Sequence, residues 1–526
     1  MKGVNRMKKL ISVVLSFILL ASILASCGES GETGTSSSAS EISNEASVPE
    51  ASEEISEEVS EVYVPDIYSG RDYDGRTFTV WTTYSTSTNT SSILPNEPGT
   101  YEENFSDKCN TAIKDRNAKI KETLGVTIDE IYYYSPTRYG SDSLAKIRSF
   151  INANDPTISA YACCLYDCGT LALEGSFYDL NSFENFNSEN PWWQQYFNEN
   201  VSLNGKLYFT IGDIDYNSYS RIPCVVYNDR LIKELNLENP VTLAKEGKWT
   251  IDKAIEYSKT FCEDITDPIG VDLFDKFGWG GNVDDLYSMT YGAGIRILSK
   301  NGDGFPELTL YTEDTVDFVD KLMDFTRDDT YVCVNDFFNI SNNPGGLLYE
   351  AFQEGRCLMF GGSLRACSVL NMDDPFGIVP EPKANEEQEY YYSLLNTWTT
   401  NAYSIGVNLT EEDAEFAAAM LDVLGYYSWK EYPDSFINNY YTVMLKNQKL
   451  SLEDSEAMLD LIFSVRGCEP GSIYQIGKYG AGITVNDIYV NMRAGVLPGF
   501  KASYEKYASG IEKDVENLVN KMISLG

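Results

Sequence analysis

The chain of 526 residues contains 79 Asp and Glu against 40 Lys and Arg, a formal net charge of −39 at pH 7, and no histidine. Such a protein repels phosphate backbones, because nucleic-acid binding depends on Lys and Arg, and we therefore expect no nucleic-acid partner. The absence of histidine excludes Ser-His-Asp and Cys-His catalysis and histidine-ligated zinc. The length predicts about two or three globular units.

The N-terminus has the three parts of a secretory signal, in which basic residues between positions 2 and 9 precede the apolar segment 10–25. This segment is nearly long enough to span a bilayer, so a retained anchor helix is the alternative. The Leu-Ala-Ser-Cys sequence that ends at Cys27 resembles the lipobox of bacterial lipoproteins, whose Cys is lipidated after cleavage. We therefore predict a signal peptide over 1–26 and a lipid anchor on Cys27.

Residues 27–70 are rich in Ser and Glu and contain no basic residue. Such a composition buries too little apolar surface to offset the entropy of ordering, so it predicts a disordered acidic tether. We expect this tether to hold a globular body at the extracellular face of a bacterial cytoplasmic membrane, of the Gram-positive type.

Ten further cysteines lie in the body. Their even number would allow disulfides outside the cell, whereas the apolar neighbours of most of them are typical of buried free thiols. We favour mostly free cysteines.

From Tyr73 onward, strand patterns alternate with helix patterns. The predicted elements are a strand at 78–80, a helix with Ile113, Ile120 and Leu124 on one face, a strand at 126–131, a helix with Leu144, Ile147 and Ile151 on one face, and a strand at 158–165. This order builds a parallel sheet covered by helices, whose ligands bind at the carboxyl ends of the strands. The sequence places Trp81, Tyr166 and Asp167 at those ends. Later helices are predicted to begin after the capping residues Thr250 and Thr410.

Six further segments, in order along the chain, carry a resemblance to one family. They are LALEGSFYDL (171–180), NPWWQQYFNENVSLNGKLYFTIGDI (190–214), IPCVVYNDRLIKELNLENP (222–240), EGKWTIDKAIEYSKTF (246–261), AFQEGRCLMFGGSLR (351–365) and FGIVPEPKANEEQEYYYS (376–393). Together they resemble the extracellular solute-binding proteins of family 1, the lipid-anchored receptors of ABC sugar importers.

The resemblance implies an α/β, two-lobe, periplasmic-binding-protein-like fold with crossing strands between the lobes and a ligand cleft. Lobe I would contain 71–221 and 402–440, and lobe II would contain 222–401 and 441–526. It also implies a carbohydrate ligand, ABC permease subunits as partners and closure of the lobes on the ligand. We expect a monomer without cofactor, metal or catalytic residues.

Sugars combine hydroxyl groups with apolar faces, so a sugar site needs aromatic rings for stacking and polar side chains for hydrogen bonds. The candidate ligand-binding residues, at strand ends and in expected cleft loops, are Trp81, Tyr84, Tyr166, Asp167, Asp213, Tyr216, Trp279, Ser363, Arg365 and Trp398. Each has a structural alternative: the tryptophans could belong to the core, Asp167 could cap a helix, and Arg365 could pair with a carboxylate.

The strong negative charge favours a neutral ligand, and an oligosaccharide is the first choice. Two other classes remain open, a glycan-adhesion lipoprotein without a permease and a surface glycoside hydrolase. No carboxylate pair stands out by its spacing as the catalytic pair of a hydrolase.

Overall fold

The computed structural model describes residues 70–85, 88–97, 107–266, 270–449, 452 and 454–525. The predicted signal peptide, the lipidation site Cys27 and nearly all of the predicted tether lie outside these residues. Within the described ranges, none of the helices combines the length and the apolarity that a membrane span requires.

Thirteen strands are numbered here in chain order. They are β1 Thr77–Tyr84, β2 Thr127–Tyr134, β3 Ala160–Cys164, β4 Pro223–Asn228, β5 Phe277–Gly281, β6 Leu298–Lys300, β7 Pro306–Leu308, β8 Tyr331–Cys333, β9 Cys357–Ser363, β10 Phe376–Val379, β11 Ser393–Leu394, β12 Asn401–Ser404 and β13 Arg466–Gly467.

The helices surround these strands. They are α1 Asp107–Leu124, α2 Ser141–Asn152, α3 Leu165–Leu173, α4 Gln195–Val201, α5 Asn217–Ser220, α6 Asp229–Glu234, α7 Pro240–Lys245, α8 Ile251–Ser258, α9 Asp285–Gly292, α10 Glu313–Phe325, α11 Pro344–Gln353, α12 Leu364–Val369, α13 Glu411–Ser428, α14 Phe436–Asn438, α15 Ser455–Ser464, α16 Pro470–Ile473, α17 Val485–Arg493 and α18 Phe500–Leu525. Two 3₁₀-helices, Leu180–Ser182 and Val334–Phe337, and a π-helix, Asn439–Lys449, complete the set.

The first sheet has four strands in the order β12-β3-β1-β2. Strand β1 is parallel to β2 and β3, and β12 is antiparallel to β3. The connections from β1 to β2 and from β2 to β3 pass through α1 and α2, so the predicted β-α-β-α-β order is confirmed. In a parallel sheet of this kind, the carboxyl ends of the strands meet at one edge.

The second sheet has five strands in the order β10-β4-β9-β5-β8. Its strand β5 is parallel to β8 and β9, whereas β4 is antiparallel to β9 and β10. The chain enters this sheet at β4 and returns to the first sheet at β12, close to the predicted lobe boundaries. The assignment of every other segment to a lobe stays a prediction.

Two details of the predicted elements are wrong. Strand β1 continues to Tyr84 instead of ending at Val80, so Trp81 lies in the middle of a strand. Trp279, expected in a loop, lies in the middle of β5. In both cases the small or polar neighbours of the tryptophan are typical of a loop, but its ring belongs to the packed interior.

The predicted helix caps are confirmed. Thr250 Oγ1 accepts a hydrogen bond from the backbone N–H of Lys253 at 3.4 Å, and Thr410 Oγ1 accepts one from Asp413 N–H at 3.2 Å. The ten cysteines of the described body are free thiols, and all except Cys262 are buried.

A buried arginine joins the first sheet to the segment that returns from the second. Arg138 is fully buried, and its backbone has a left-handed conformation with φ of 61°. Its guanidinium donates five hydrogen bonds, to the carbonyl oxygens of Thr83, Trp398 and Thr399, to Thr88 Oγ1 and to Asn401 Oδ1.

All five acceptors of Arg138 are neutral. Burial lowers the pKa of Arg138, and the nearby carboxylate of Asp215 opposes this shift. Asp215 also accepts a hydrogen bond from Asn401 N–H at 3.2 Å. Asn401, the first residue of β12, is therefore bound by Arg138 at its side chain and by Asp215 at its backbone. The end of β1, the loop after β1 and the segment before β12 are thereby fixed to each other.

We expect the substitution Arg138→Met to lower the free energy of unfolding by more than about 3 kcal/mol, because it leaves several buried acceptors without donors. Urea denaturation measures this loss. The matched control is Arg148→Met, which removes an exposed ion pair with Glu174 and should cost less than about 1 kcal/mol. Similar losses in the two variants would show that Arg138 does not hold the junction.

Candidate functional site

A cavity of about 500 Å³ opens at one edge of the second sheet. Gly281 at the end of β5 and Ser363 at the end of β9 line it, together with Pro223 at the start of the antiparallel strand β4. The cavity therefore lies at the carboxyl ends of parallel strands, where α/β sheets bind their ligands. Asn396 and Thr399 line it from the segment that returns to the first sheet.

More than half of the residues that line the cavity have polar side chains. Its polar side chains are Arg221, Asn282, Asp284, Asp285, Ser288, Asn343, Tyr349, Glu350, Gln353, Ser363, Arg365, Asn396 and Thr399. Tyr349 is the one aromatic residue among the described residues of the wall. Such a surface offers hydrogen-bond donors and acceptors in several directions.

Two glycines make room for a carboxyl group in the wall. A Cβ atom at either Gly281 or Gly361 would overlap with Asp285 Oδ2. Asp285 Oδ1 accepts a hydrogen bond from Asn282 Nδ2 at 3.0 Å, and Oδ2 accepts one from the Tyr331 hydroxyl at 3.4 Å. The glycines at the ends of β5 and β9 are therefore required by the close approach of Asp285.

The two adjacent aspartates of the wall lie in different surroundings. Asp285 is 6% exposed, and its burial raises its pKa to about 7, an effect to which the charge of Asp284 adds. The side chain of Asp284 is exposed at the cavity. The surrounding protein still removes part of the water around its carboxyl group and so raises its pKa, while a hydrogen bond with Asn396 lowers it. Of these two aspartates, Asp284 is thus the one that a ligand could reach.

Arginines contribute positive charge to the same wall. Burial raises the pKa of Tyr349, and the guanidinium groups of Arg365 and Arg221 oppose this rise because both lie near its hydroxyl. The wall therefore contains both signs of charge rather than one.

Three predicted residues lie at or beside the cavity. Ser363 and Arg365 line it directly. Trp398 lies between the lining residues Asn396 and Thr399, is half-buried, and donates from Nε1 to the carbonyl oxygen of Thr137 at 3.0 Å.

Two predicted tyrosines lie at or just beyond the carboxyl ends of strands of the first sheet. Tyr84 ends β1, and its ring stacks on Tyr132 with 3.9 Å between the ring centroids. Tyr166 is half-buried in the first turn of α3, where burial raises its pKa to about 12 and the nearby carboxylate of Asp284 adds to the rise. Tyr166 is therefore close to the accessible carboxylate of the cavity wall.

Three predicted aromatic residues lie in the core instead. Trp81 is 2% exposed and stacks on Tyr133 at 4.7 Å, and Trp279 is fully buried with its ring 5.8 Å from Phe325. Tyr216 is fully buried as well. None of the three is among the described residues that line the cavity, so in this conformation they belong to the packed core. Their ligand role stays a prediction.

The two predicted aspartates have structural hydrogen bonds. Asp167 accepts from Gly140 N–H at 2.8 Å, and Asp213 accepts from the Tyr219 hydroxyl and from Lys430 N–H, each at 2.7 Å. Burial raises the pKa of each carboxyl to about 6, while these hydrogen bonds act in the opposite direction. Neither carboxyl lines the described cavity.

The prediction missed most of the cavity wall. Asp284 and Asp285 follow a Gly-Gly pair at a strand end, which is a usable signal, whereas the predicted ligand-binding residue of the same segment is Trp279. Arg138 carries no such signal, because an arginine in a loop is usually exposed.

The raised pKa of Asp285 predicts a dependence of stability on pH. The pKa rises from 3.8 to about 7 on folding, so between these values the folded chain binds the additional proton and the free energy of unfolding falls as the pH rises. The substitution Asp285→Asn removes this titration. Relative to the wild type, the variant should therefore gain stability from pH 4 to pH 7, by at most about 1.4 kcal/mol per pH unit.

Urea denaturation of both proteins at a series of pH values measures this difference. It should reach a plateau above pH 7, once Asp285 is ionised in both states. Parallel stability curves for the two proteins would contradict the assignment.

The fold can be compared with solved structures. An ABC substrate-binding protein from Listeria monocytogenes, in complex with cycloalternan, matches with a TM-score of 0.51 and 14% sequence identity over 86% of this chain and 99% of that one. An ABC transporter solute-binding protein from Thermotoga lettingae, bound with α-D-tagatose, matches with a TM-score of 0.50 and 14% identity over 84% of this chain and 100% of that one. No protein-family model and no curated protein matches the sequence.

These similarities cover nearly the whole of the described body. The fold implied by the six sequence segments is therefore confirmed. The chain has the two-lobe α/β fold of the solute-binding proteins of ABC transporters.

Proposed function

We propose that the protein is an extracellular substrate-binding protein that captures a carbohydrate between its lobes and delivers it to an ABC permease. The observation that supports this proposal most directly is the polar cavity at the carboxyl ends of β5 and β9, beside the segment that returns to the first sheet. Its volume of about 500 Å³ falls within the range of small-molecule sites.

A carbohydrate fits the chemistry of this cavity. Each hydroxyl group of a sugar both donates and accepts a hydrogen bond, and the wall supplies carboxylates, amides, hydroxyls and guanidinium groups close together. The two similar solved structures hold carbohydrates, cycloalternan in one and tagatose in the other. An oligosaccharide remains our first choice of ligand.

Charge favours a neutral sugar. The chain has a net charge of −39, and the accessible carboxylate of Asp284 would repel an anionic ligand at short range. The guanidinium groups of Arg221 and Arg365 can instead donate to sugar hydroxyls.

The remaining parts of the proposal rest on the sequence. A signal peptide over 1–26, a lipid on Cys27 and an acidic tether would keep a monomeric receptor at the outer face of the membrane, near its permease. Such a receptor binds its ligand without chemical change and needs no cofactor, metal or catalytic residue.

Calorimetric titration of the full chain with malto-, xylo-, manno- and galacto-oligosaccharides tests the proposal. We expect saturable binding of one sugar class with one site per chain. The substitution Asp284→Ala should weaken this binding about tenfold or more, because it removes a charged hydrogen-bond acceptor from the wall.

The control is Asp303→Ala, which removes an exposed carboxylate that does not line the cavity and should leave the affinity unchanged. Binding of an amino acid or polyamine in place of every sugar would overturn the substrate class. Hydrolysis of the bound sugar would overturn the receptor itself.

A further inference from the structure

Two buried cysteines face each other where the first sheet meets α3. Cys163 is the fourth residue of β3, and Cys168 is the fourth residue of α3. Their Sγ atoms are 3.2 Å apart, and both side chains are fully buried. Neither thiol is among the described residues that line the cavity, so the proposed function assigns no role to this pair.

The local chain path brings the two sulfurs together. Cys164 separates β3 from α3, and its extended backbone, with φ of −60° and ψ of 157°, lets the helix turn back onto the end of the strand. Cys168 Sγ also lies 3.4 Å from the carbonyl oxygen of Cys163 and 3.7 Å from that of Ala402. Ala402 is the partner of Cys163 in the β3–β12 pair. The two thiols therefore lie where β3, β12 and α3 meet.

Tertiary packing holds α3 in this position. A Cβ atom at Gly169 would lie 2.7 Å from the carbonyl oxygen of Ile473, so α3 and α16 approach each other closely here. In the first turn of α3, Asp167 accepts a hydrogen bond from Gly140 N–H at 2.8 Å. The position of Cys168 is therefore set by contacts with distant segments as well as by its short separation from β3.

The pair is close to the geometry of a disulfide. The sulfurs of a disulfide are about 2.05 Å apart, so these two need to approach each other by about 1.2 Å. Rotation about the two Cα–Cβ bonds can supply such a movement. Disulfides form and persist outside the cell, whereas the cytosol keeps thiols reduced.

We propose that Cys163 and Cys168 are a modification site, at which an intramolecular disulfide forms after export and joins the end of β3 to the first turn of α3. This inference rests on the proposed function through the extracellular location alone, because only an oxidising compartment favours the bond. The oxidant is the disulfide of a low-molecular-weight thiol. The bond fixes the turn that carries Tyr166 and Asp167 to the strand before it.

The reaction is a thiol–disulfide exchange in two steps. The thiolate of one cysteine attacks a sulfur of the oxidant, forms a mixed disulfide and releases one thiolate of the oxidant. The thiolate of the second cysteine attacks the protein sulfur of the mixed disulfide, closes the Cys163–Cys168 bond and releases the second thiolate. The two protons that the cysteines lose pass to the released thiolates. The protein thus loses two electrons, and the oxidant is reduced to two thiols.

The folded structure slows this reaction. The hydrogen bond with Cys168 and the burial of the pair raise the pKa of Cys163 well above its usual value, so its thiolate is scarce at neutral pH. A fully buried sulfur is also shielded from an oxidant in solution. We therefore expect the bond to form while the exported chain folds.

The experiment refolds the full chain from urea in a glutathione buffer that contains mostly the oxidised form. The product is then denatured with N-ethylmaleimide, which labels every remaining thiol. No Lys or Arg lies between Arg148 and Lys206, so trypsin yields one peptide that contains Cys163, Cys164 and Cys168. Mass spectrometry should find Cys164 as the one labelled cysteine of this peptide. After prior reduction, all three should be labelled.

Two variants control the assignment. Cys164→Ala removes the neighbouring buried thiol and should leave the bond between Cys163 and Cys168 intact. Cys168→Ala removes one partner, so Cys163 should be labelled in both buffers. The oxidised wild type should melt at a higher temperature than the reduced wild type, whereas the melting temperature of Cys168→Ala should not depend on the buffer.

Two results would overturn the inference. The first is labelling of both Cys163 and Cys168 in the wild type after refolding with oxidised glutathione. The second is a bond from either residue to a different cysteine. The sugar titrations are independent of this outcome, since a protein that forms the bond and binds no sugar would lose the proposed receptor function and keep the disulfide.

Discussion

The structure depends on the way in which Arg138 connects the first sheet to the chain that returns from the second. Arginine can donate five hydrogen bonds, and here all five go to neutral acceptors in segments that are distant in sequence. A buried cation without a direct carboxylate partner is costly, and so is a left-handed backbone at a non-glycine residue. Both costs occur where the end of β1 meets the segment that contains the lining residue Thr399, and Arg138 holds these two segments together.

The two sheets contribute different chemistry to the cleft. In the second sheet, glycines at the ends of β5 and β9 let Asp285 approach the backbone, and the wall around it is polar. In the first sheet, β1 and β2 both end in tyrosine. None of these tyrosines is among the described residues that line the cavity.

Much of the fold could be predicted from the sequence, because apolar periodicity reports directly on which face of a helix or strand is buried. The strands and helices of the first sheet and the caps at Thr250 and Thr410 follow from such local patterns. The candidate binding site was harder to predict, because it is formed by segments that are distant from one another in the sequence. Trp81 and Trp279 show the difficulty: tryptophan serves equally well in a core and in a sugar site, and only the tertiary structure shows that both rings are packed inside. Ser363 and Arg365 line the cavity and Trp398 lies beside it, as the family resemblance led us to expect for residues of the cleft, and their ligand role stays a prediction. Nothing local in the sequence distinguishes Arg138.

The most direct test of the account is a crystal structure of the protein with the oligosaccharide that binds most tightly. The account predicts a sugar unit in the cavity, in contact with Asp284 and Arg365, with Arg138 still bound to Thr399. A sugar bound elsewhere on the surface, or a cavity that remains empty at saturating ligand, would contradict the central claim that the cavity at the ends of β5 and β9 is the binding site.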